Sequence, residues 1–322
     1  MEEEKSVTII IVNWNQKNTL DTCLNSLKSK TFYKNYHVIV VDNGSNDGSL
    51  QMVKDSFPWV DLIALDKNYG FAIGNNKGIA YALKKYSPQY FLLLNNDTEI
   101  FQSDWLSKMV SAAEAEQKIG IVGCKLIYPN GKTQYLGTKI TYEGLSWINS
   151  TKEATLPNIF DVDAVLGACF LIKREVIDKI GFLDVGFSPF VHEESDFCMR
   201  ARKAGFRSVM ILDALVVHHW KLTTAKVNSE YVEYVERRNF VRFILLNYPL
   251  SWLAKRKFIE IRLFVSCFFA RGKGRLPIRL RTGRELRVRL NINVYVWLYN
   301  LKNLREILAK RENRASKLLA IE

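Results

Sequence analysis

The stretch VTIIIVNWN (residues 7–15) is a β-branched apolar run that stops abruptly at Asn13-Trp14-Asn15. A run of this kind, apolar on both faces, fits a buried parallel strand. The same order recurs. Val38–Val41 leads into Asp42-Asn43-Gly44-Ser45, and Tyr90–Leu94 leads into Asn95-Asn96-Asp97. Between the runs lie helical spacings: residues 16–30 place Leu20, Leu24 and Leu27 on one face, and residues 71–86 read as a second helix. A further strand ends near Leu65, and another covers Ile119–Gly123. This βα alternation predicts an α/β fold: a mostly parallel central sheet with helices on both faces.

Past residue 127 the pattern changes. Tyr128-Pro129-Asn130-Gly131-Lys132 signals a turn between short strands, and residues 137–163 read as a loop or small antiparallel region. Regular structure resumes near 164–172. Helices are expected at 174–180 and 194–205, and strands at 207–212 and 214–218. From 228 onward the chain reads as helical and basic. The division expected is a domain over 1–225 and a helical extension over 226–322.

The net charge of +13 is unevenly spread. Residues 221–322 carry 23 Lys and Arg against 8 Asp and Glu, so the whole excess belongs to the last third. Such a region seeks phosphate, on nucleic acid or on anionic lipid, or simply keeps a surface solvated. Five cysteines (23, 124, 169, 198 and 267) form no CxxC pair and read as reduced, buried residues. The opening Met-Glu-Glu-Glu-Lys lacks a signal-peptide pattern, and no window holds the roughly 18 apolar residues of a spanning helix. A cytoplasmic chain, soluble or peripheral, is expected.

In an open α/β sheet, ligands bind beyond the carboxyl ends of the strands. Three polar clusters sit at such ends. Any one of them is ordinary turn chemistry; three together point to one site. Asp97, on the rim of a buried strand, is placed to hold a divalent cation, and Mg²⁺ needs only one or two carboxylates beside phosphate oxygens. The loop Lys67–Gly78 opens a helix and is glycine-rich, which suits a phosphate, yet it has no GxGxxG after the first strand and no Walker A pattern. His192-Glu193-Glu194-Ser195-Asp196 reads either as an acidic helix start or as a general base with supporting acids. His218-His219 ends an apolar strand. Adjacent strand residues face opposite ways, so one of the two is expected to enter the site.

Taken in order, VTIIIVNWN (7–15), VIVVDNGSNDGS (38–49), KNYGFAIGNNKG (67–78), FLLLNNDTEI (91–100), VLGACFLIKREVIDKIGFLD (165–184) and FVHEESDFCMRARKAGF (190–206) resemble the family 2 glycosyltransferases of GT-A type fold, in particular their rhamnosyltransferase-like branch. The resemblance covers about 7–220, with an echo in ERRNFVRFILLNYP (236–249). It implies a donor-binding half over about 1–125 and an acceptor and catalytic half over about 126–225. By it, Asn13 and Asp42 border the nucleobase, and Asn68, Gly70, Gly74 and Asn75 line the ribose and diphosphate. Asn95, Asn96 and Asp97 form the DxD-type motif, with Asn95 where the family often has Asp. Glu194 takes the place of the catalytic base, where Asp is usual, with Glu193 as the alternative. Asp196 and Arg200 continue that motif, and His218, before His219, matches the histidine near metal and diphosphate.

The implied reaction is inverting transfer of a sugar, rhamnose as first candidate, from a nucleotide diphosphate donor to a glycan or lipid-linked acceptor in surface polysaccharide or glycoconjugate synthesis. Mg²⁺ or Mn²⁺ would assist. In the extension, eight basic residues and Glu285 fall between 271 and 289, and Leu290, Val294, Trp297, Leu301, Leu304 and Leu308 follow at alternating spacings of 4 and 3. Residues 252–269 add aromatic and aliphatic side chains. This combination suits the cytoplasmic face of an anionic membrane, or packing on the first domain or on a second copy in a homodimer. Two rival readings are a nucleic-acid-binding protein, which leaves Asp42, Asp97 and Glu194 unexplained, and a sugar nucleotidyltransferase, which lacks its usual basic, glycine-rich signature here.

Overall fold

The structure is a computed structural model, described for residues 4–141, 144–148, 150–219, 228–249, 251–252 and 283–319. The chain forms two compact units, one made of residues 1–140 with 145–226, the other of 141–144 with 227–322.

In the first unit, β1 (Val7–Asn13) is flanked by β2 (Tyr36–Asp42) and β4 (Tyr90–Leu94), both parallel to it, and β3 (Asp61–Ala64) extends the sheet beyond β2. Val7, Ile9, Ile10 and Ile11 are fully buried, as a strand with helices on both faces requires. Helices α1 (Lys17–Lys30), α2 (Ser49–Ser56) and α3 (Phe71–Lys85) make the crossovers. Gly74 and Gly78 of α3 let it lie close on the sheet: an added Cβ would meet Val12 Cγ1 at 2.8 Å and Ile10 Cγ2 at 2.4 Å.

The far half of the sheet is mixed. After the short β5 (Thr98–Glu99) and α4 (Trp105–Glu114) comes β6 (Ile119–Ile127), and after β7 (Thr133–Tyr135), β8 (Thr138–Thr141), β9 (Gly144–Trp147) and β10 (Ile159–Asp161) comes β11 (Cys169–Lys173). Strand β11 runs antiparallel between β4 and β6, so the residues just before it share an edge with the carboxyl ends of its neighbours. Helices α5 (Arg174–Ile180) and α6 (Glu193–Lys203) lead to β12 (Arg207–His218), which pairs parallel with β6. The sheet order is β10-β12-β6-β11-β4-β1-β2-β3, and β8 and β9 form a separate two-stranded piece within residues 137–163.

The two strands expected at 207–212 and 214–218 are one. Ile211 pairs with Cys124 and Leu215 with Lys125, so Leu212, Asp213 and Ala214 bulge out of a continuous strand. Cys23, Cys124, Cys169 and Cys198 are buried and free, as expected; Cys267 lies outside the described residues.

In the second unit, α7 (Ser229–Asn247) starts at Asn228, whose Oδ1 accepts from the amides of Glu230 and Tyr231. It packs with α8 (Gly283–Lys302) and α9 (Leu304–Leu319) through a partly polar core. Arg242, 2% exposed, makes two 2.8 Å bonds to Glu306, and Asn300 Nδ2 donates to the Arg238 carbonyl. Arg242 in turn holds the Glu306 carboxyl below its ordinary value. No helix among the described residues is long and apolar enough to cross a membrane.

Candidate active site

The three polar clusters meet where the parallel strands end. Asn13, fully buried, donates from Nδ2 to Asp42 Oδ2 and to Ser45 Oγ, both at 3.2 Å, and its Oδ1 accepts from Asn96 at 2.7 Å. Asp42 Oδ1 takes the Ser45 amide at 2.9 Å. One side chain thus ties the ends of β1, β2 and β4 together. Gly44 permits the tight turn after β2: its φ is +75° and an added Cβ would press on the Lys67 backbone at 2.5 Å.

Asn43 then joins this corner to the loop before α3. Its Nδ2 donates to Asn68 Oδ1 (3.0 Å) and to the Gly70 carbonyl (3.2 Å), while its Oδ1 accepts from the Tyr69 amide. Gly70 sits at φ +87° directly against Pro189, whose carbonyl accepts from the Phe71 amide at 3.0 Å. The loop after α5 is thereby fastened to the start of α3. Asn68 is exposed at this rim. Two neighbours expected beside it are placed otherwise. Gly74 faces Val12 of β1, and Asn75 is buried with its amide nitrogen turned onto the Phe71 carbonyl at 3.0 Å.

The acidic segment opens α6 from an unusual backbone. Val191 and His192 both have positive φ, +67° and +75°. That conformation is costly for a β-branched residue and clusters at functional sites. It delivers Glu193 and Glu194 to the first turn of α6. Glu193 is buried at 1% exposure. Glu194 is half-buried, and its Oε1 accepts from the Gly167 amide at 3.0 Å. Burial raises the Glu194 carboxyl above its ordinary value, the backbone amides of Glu194 itself and Gly167 pulling the other way. An added Cβ on Gly167 would meet both Glu194 Oε1 and the Phe71 ring, so these three groups are in close contact.

Gly167 also connects the carboxylate to the end of β4. The carbonyl of the next residue, Ala168, accepts from the Asn95 amide at 3.1 Å. Two residues on from Asn95, Asp97 is 6% exposed, and its Oδ1 lies 3.3 Å from His218 Nε2. That oxygen has no hydrogen bond. His218, 3% exposed, is turned by Gln134, whose Oε1 is 2.6 Å from Nδ1 and whose Nε2 donates to the His218 carbonyl at 3.0 Å. The second bond fixes the amide orientation, so Nδ1–H donates to Oε1 and Nε2 is turned toward Asp97. A histidine held this way is the usual arrangement behind a metal ligand. Asn95 Nδ2 also approaches Nε2, at 3.4 Å. Among the described residues no third His, Cys, Asp or Glu joins the pair. Asp97 Oδ1 and His218 Nε2 would suit Mg²⁺ or Mn²⁺, for which one or two protein ligands suffice beside phosphate oxygens. His219 is half-exposed beside Glu99 at 3.4 Å.

Asp196 and Arg200 have a different setting. Asp196 is fully buried and pairs with Arg200 Nε at 2.9 Å; Arg200 spends its remaining nitrogens on the carbonyls of Ile180 (2.9 Å) and Phe182 (2.8 Å). Enclosed in this way, they hold the α5–α6 loop rather than face a ligand. Asp196→Ala is expected to cost about 3–5 kcal/mol of folding free energy by leaving Arg200 buried and unpaired, read as a fall in the urea midpoint.

Gln134, Gly167 and Asn43 act by orienting other groups. None of them is predicted from the sequence as a site residue, although Gly167 lies in the segment 165–184 and Asn43 in the polar cluster Asp42–Ser45.

The sequence pattern of the family described as Glycosyl transferase family 2 matches residues 8–181, just over half of the chain. The chain belongs to glycosyl transferase family 2. Among its relatives, the low-salt glycan biosynthesis hexosyltransferase Agl10 of Haloferax volcanii is 26% identical over 248 residues, 75% of each chain. The O-antigen biosynthesis protein RfbC of Myxococcus xanthus is 28% identical over 66% of this chain but only 17% of its own length. Protein y4gI of Sinorhizobium fredii is 30% identical over 68% of this chain and 25% of its own. The chain therefore spans a quarter or less of these last two. Among solved structures, the mannosyltransferase PcManGT of Pyrobaculum calidifontis, in complex with GDP-Man and Mn²⁺, superposes with a TM-score of 0.59 at 15% identity, over 99% of this chain and 88% of that one. GalNAc-T7, with UDP, GalNAc and Mn²⁺, gives 0.61 at 17% identity, over 76% and 48%. These likenesses establish the GT-A fold for the family 2 chain.

Proposed function

We propose that this family 2 glycosyltransferase moves a sugar, rhamnose being the first candidate, from a nucleotide diphosphate onto a hydroxyl of a glycan or lipid-linked acceptor with inversion, in surface polysaccharide or glycoconjugate synthesis. The observation that supports the reading is the run of contacts from Glu194 through Gly167 and Ala168 to Asn95, which is two residues before Asp97 and 3.4 Å from His218 Nε2. On this reading residues 1–225 are the catalytic domain.

The Asn13–Asp42 corner receives the base, and Asn43, Asn68 and Gly70 shape the loop for the ribose and diphosphate. Asp97 and His218 would hold Mg²⁺ or Mn²⁺, which when bound would offset the charge of the leaving diphosphate. Glu194, its carboxyl raised by burial, accepts the proton of the attacking hydroxyl. Its Gly167 bond keeps one oxygen fixed, so the other is oriented for that proton. Asp196 and Arg200 position the helix that bears it.

The test is a thermal-shift panel of deoxythymidine, uridine and guanosine diphosphate sugars with Mn²⁺, followed by product analysis with the stabilising donor. Stabilisation by one donor class and release of free nucleoside diphosphate are expected. Release of pyrophosphate would identify a nucleotidyltransferase, and displacement of the donor by duplex DNA a nucleic-acid protein.

A further inference from the structure

We infer that the outer face of α8, continued at Leu308 of α9, is a docking surface for anionic phospholipid. At 100° per residue, Ile292, Val296 and Asn300 share one side of α8, and all three are buried. Val294, Tyr295, Leu298 and Leu301 share the opposite side and are 56%, 63%, 57% and 58% exposed. In α9, Ile307 is fully buried and Leu308 is 38% exposed. A helix apolar on two opposite sides has a partner for each. Here α7 takes one side: Arg237 Nη1 bonds Asn293 Oδ1 at 2.9 Å, and Arg238 stacks on Tyr299 at 4.5 Å. Five of the eleven large apolar side chains exposed among the described residues fall on this short stretch. A concentration of that kind marks an interaction surface.

Charge selects the occupant. From Val294 to Leu308 the only acid is Glu306, and Arg242 bridges both its oxygens. Lys302 and Arg305 are exposed beside the apolar row. The sequence on the amino side, 271–289, adds eight basic residues against one acid. Exposed aliphatic and aromatic side chains beside cations match a helix lying in the headgroup layer of an anionic leaflet. A second copy of the chain would bring equal positive charge to the same face.

The sequence reading drew a single apolar seam through Leu290, Val294, Trp297, Leu301, Leu304 and Leu308. Val294, Leu301 and Leu308 of that seam belong to the open face, while the packed face is the row Ile292, Val296 and Asn300.

The test is flotation of the full chain with vesicles of phosphatidylglycerol and phosphatidylcholine, or of phosphatidylcholine alone, comparing the parent with Leu298→Asp/Leu301→Asp. Both positions are exposed, and circular dichroism together with the urea midpoint checks that the fold is kept. Binding to the anionic vesicles, reduced by about tenfold or more in the variant and by added salt, is expected. Failure of the parent to float, or equal flotation of the variant, overturns the inference. So does a parent dimer that the variant converts to monomer without loss of flotation, which would assign the face to self-association. The readout is binding, so the outcome is independent of the reaction proposed above.

Discussion

Glu194→Gln is expected to lower kcat by about 10²–10⁴-fold while the affinity for donor stays within about twofold of the parent. The substitution keeps an oxygen that can accept from the Gly167 amide, so the first turn of α6 is held as before. What is lost is the capacity to take a proton. The pH dependence makes the test sharper. Because the Glu194 carboxyl is raised above the ordinary glutamate value, parent turnover should climb as pH rises through that raised value, and the variant should lack this limb. Stability should move the other way. A carboxyl with a folded-state value above its unfolded one adds stability that is complete below the unfolded value and disappears as pH rises through the folded one. At neutral pH the variant is therefore at least as stable as the parent by thermal melt. Near-normal turnover in Glu194→Gln would move the base to another group, with Glu193 the next to replace.

Asp97→Ala should abolish the metal-dependent part of donor binding. Expected is about a hundredfold loss of donor affinity in Mn²⁺ by titration calorimetry, down to the value the parent shows in EDTA, with no further loss when EDTA is added to the variant. The fold should survive. Asp97 Oδ1 is buried with no hydrogen bond and lies 3.3 Å from His218 Nε2, so deleting it removes a desolvated oxygen rather than a support. Unchanged metal dependence in the variant would leave the pair without the role proposed for it.

Much of the parallel half of the sheet was legible in the sequence because its strands are buried on both faces. Val7–Val12, Val38–Val41 and Tyr90–Leu94 are long enough and apolar enough to be nothing else, and the polar residues that stop them come to one edge. Helices α1, α3 and α5 were legible from their spacing and ends. Direction was not: β11 runs against its neighbours, and a five-residue apolar strand reads the same either way. The site divides similarly. Asn13, Asp42 and Asn96 are joined by hydrogen bonds at one rim, and Asn95 and Asp97 each approach His218 there. Asp196 and Arg200, with identical residue types and an equally suggestive position, are spent on each other and on two carbonyls. Nothing in a linear pattern separates a carboxylate that faces a ligand from one that neutralises a buried guanidinium four residues on. Gln134 and Gly167 are invisible for the opposite reason, since their contribution is two bonds to a residue 84 positions away and one bond to a residue 27 positions away.

The excursion of Leu212–Ala214 from β12 has a consequence for how this chain can vary. Side chains alternate along a strand, so the register regained at Leu215, opposite Lys125, decides which of two adjacent imidazoles turns inward. With the present register His218 meets Asp97 and Gln134, and His219 meets solvent and Glu99. Loss or gain of a single codon after Leu215, where pairing has resumed, would exchange the two, leaving composition and strand length almost untouched while removing the imidazole that meets Asp97. Within 212–214 the excursion can absorb a change in length, so tolerance to insertion changes sharply between the loop-out and the three positions that follow Leu215.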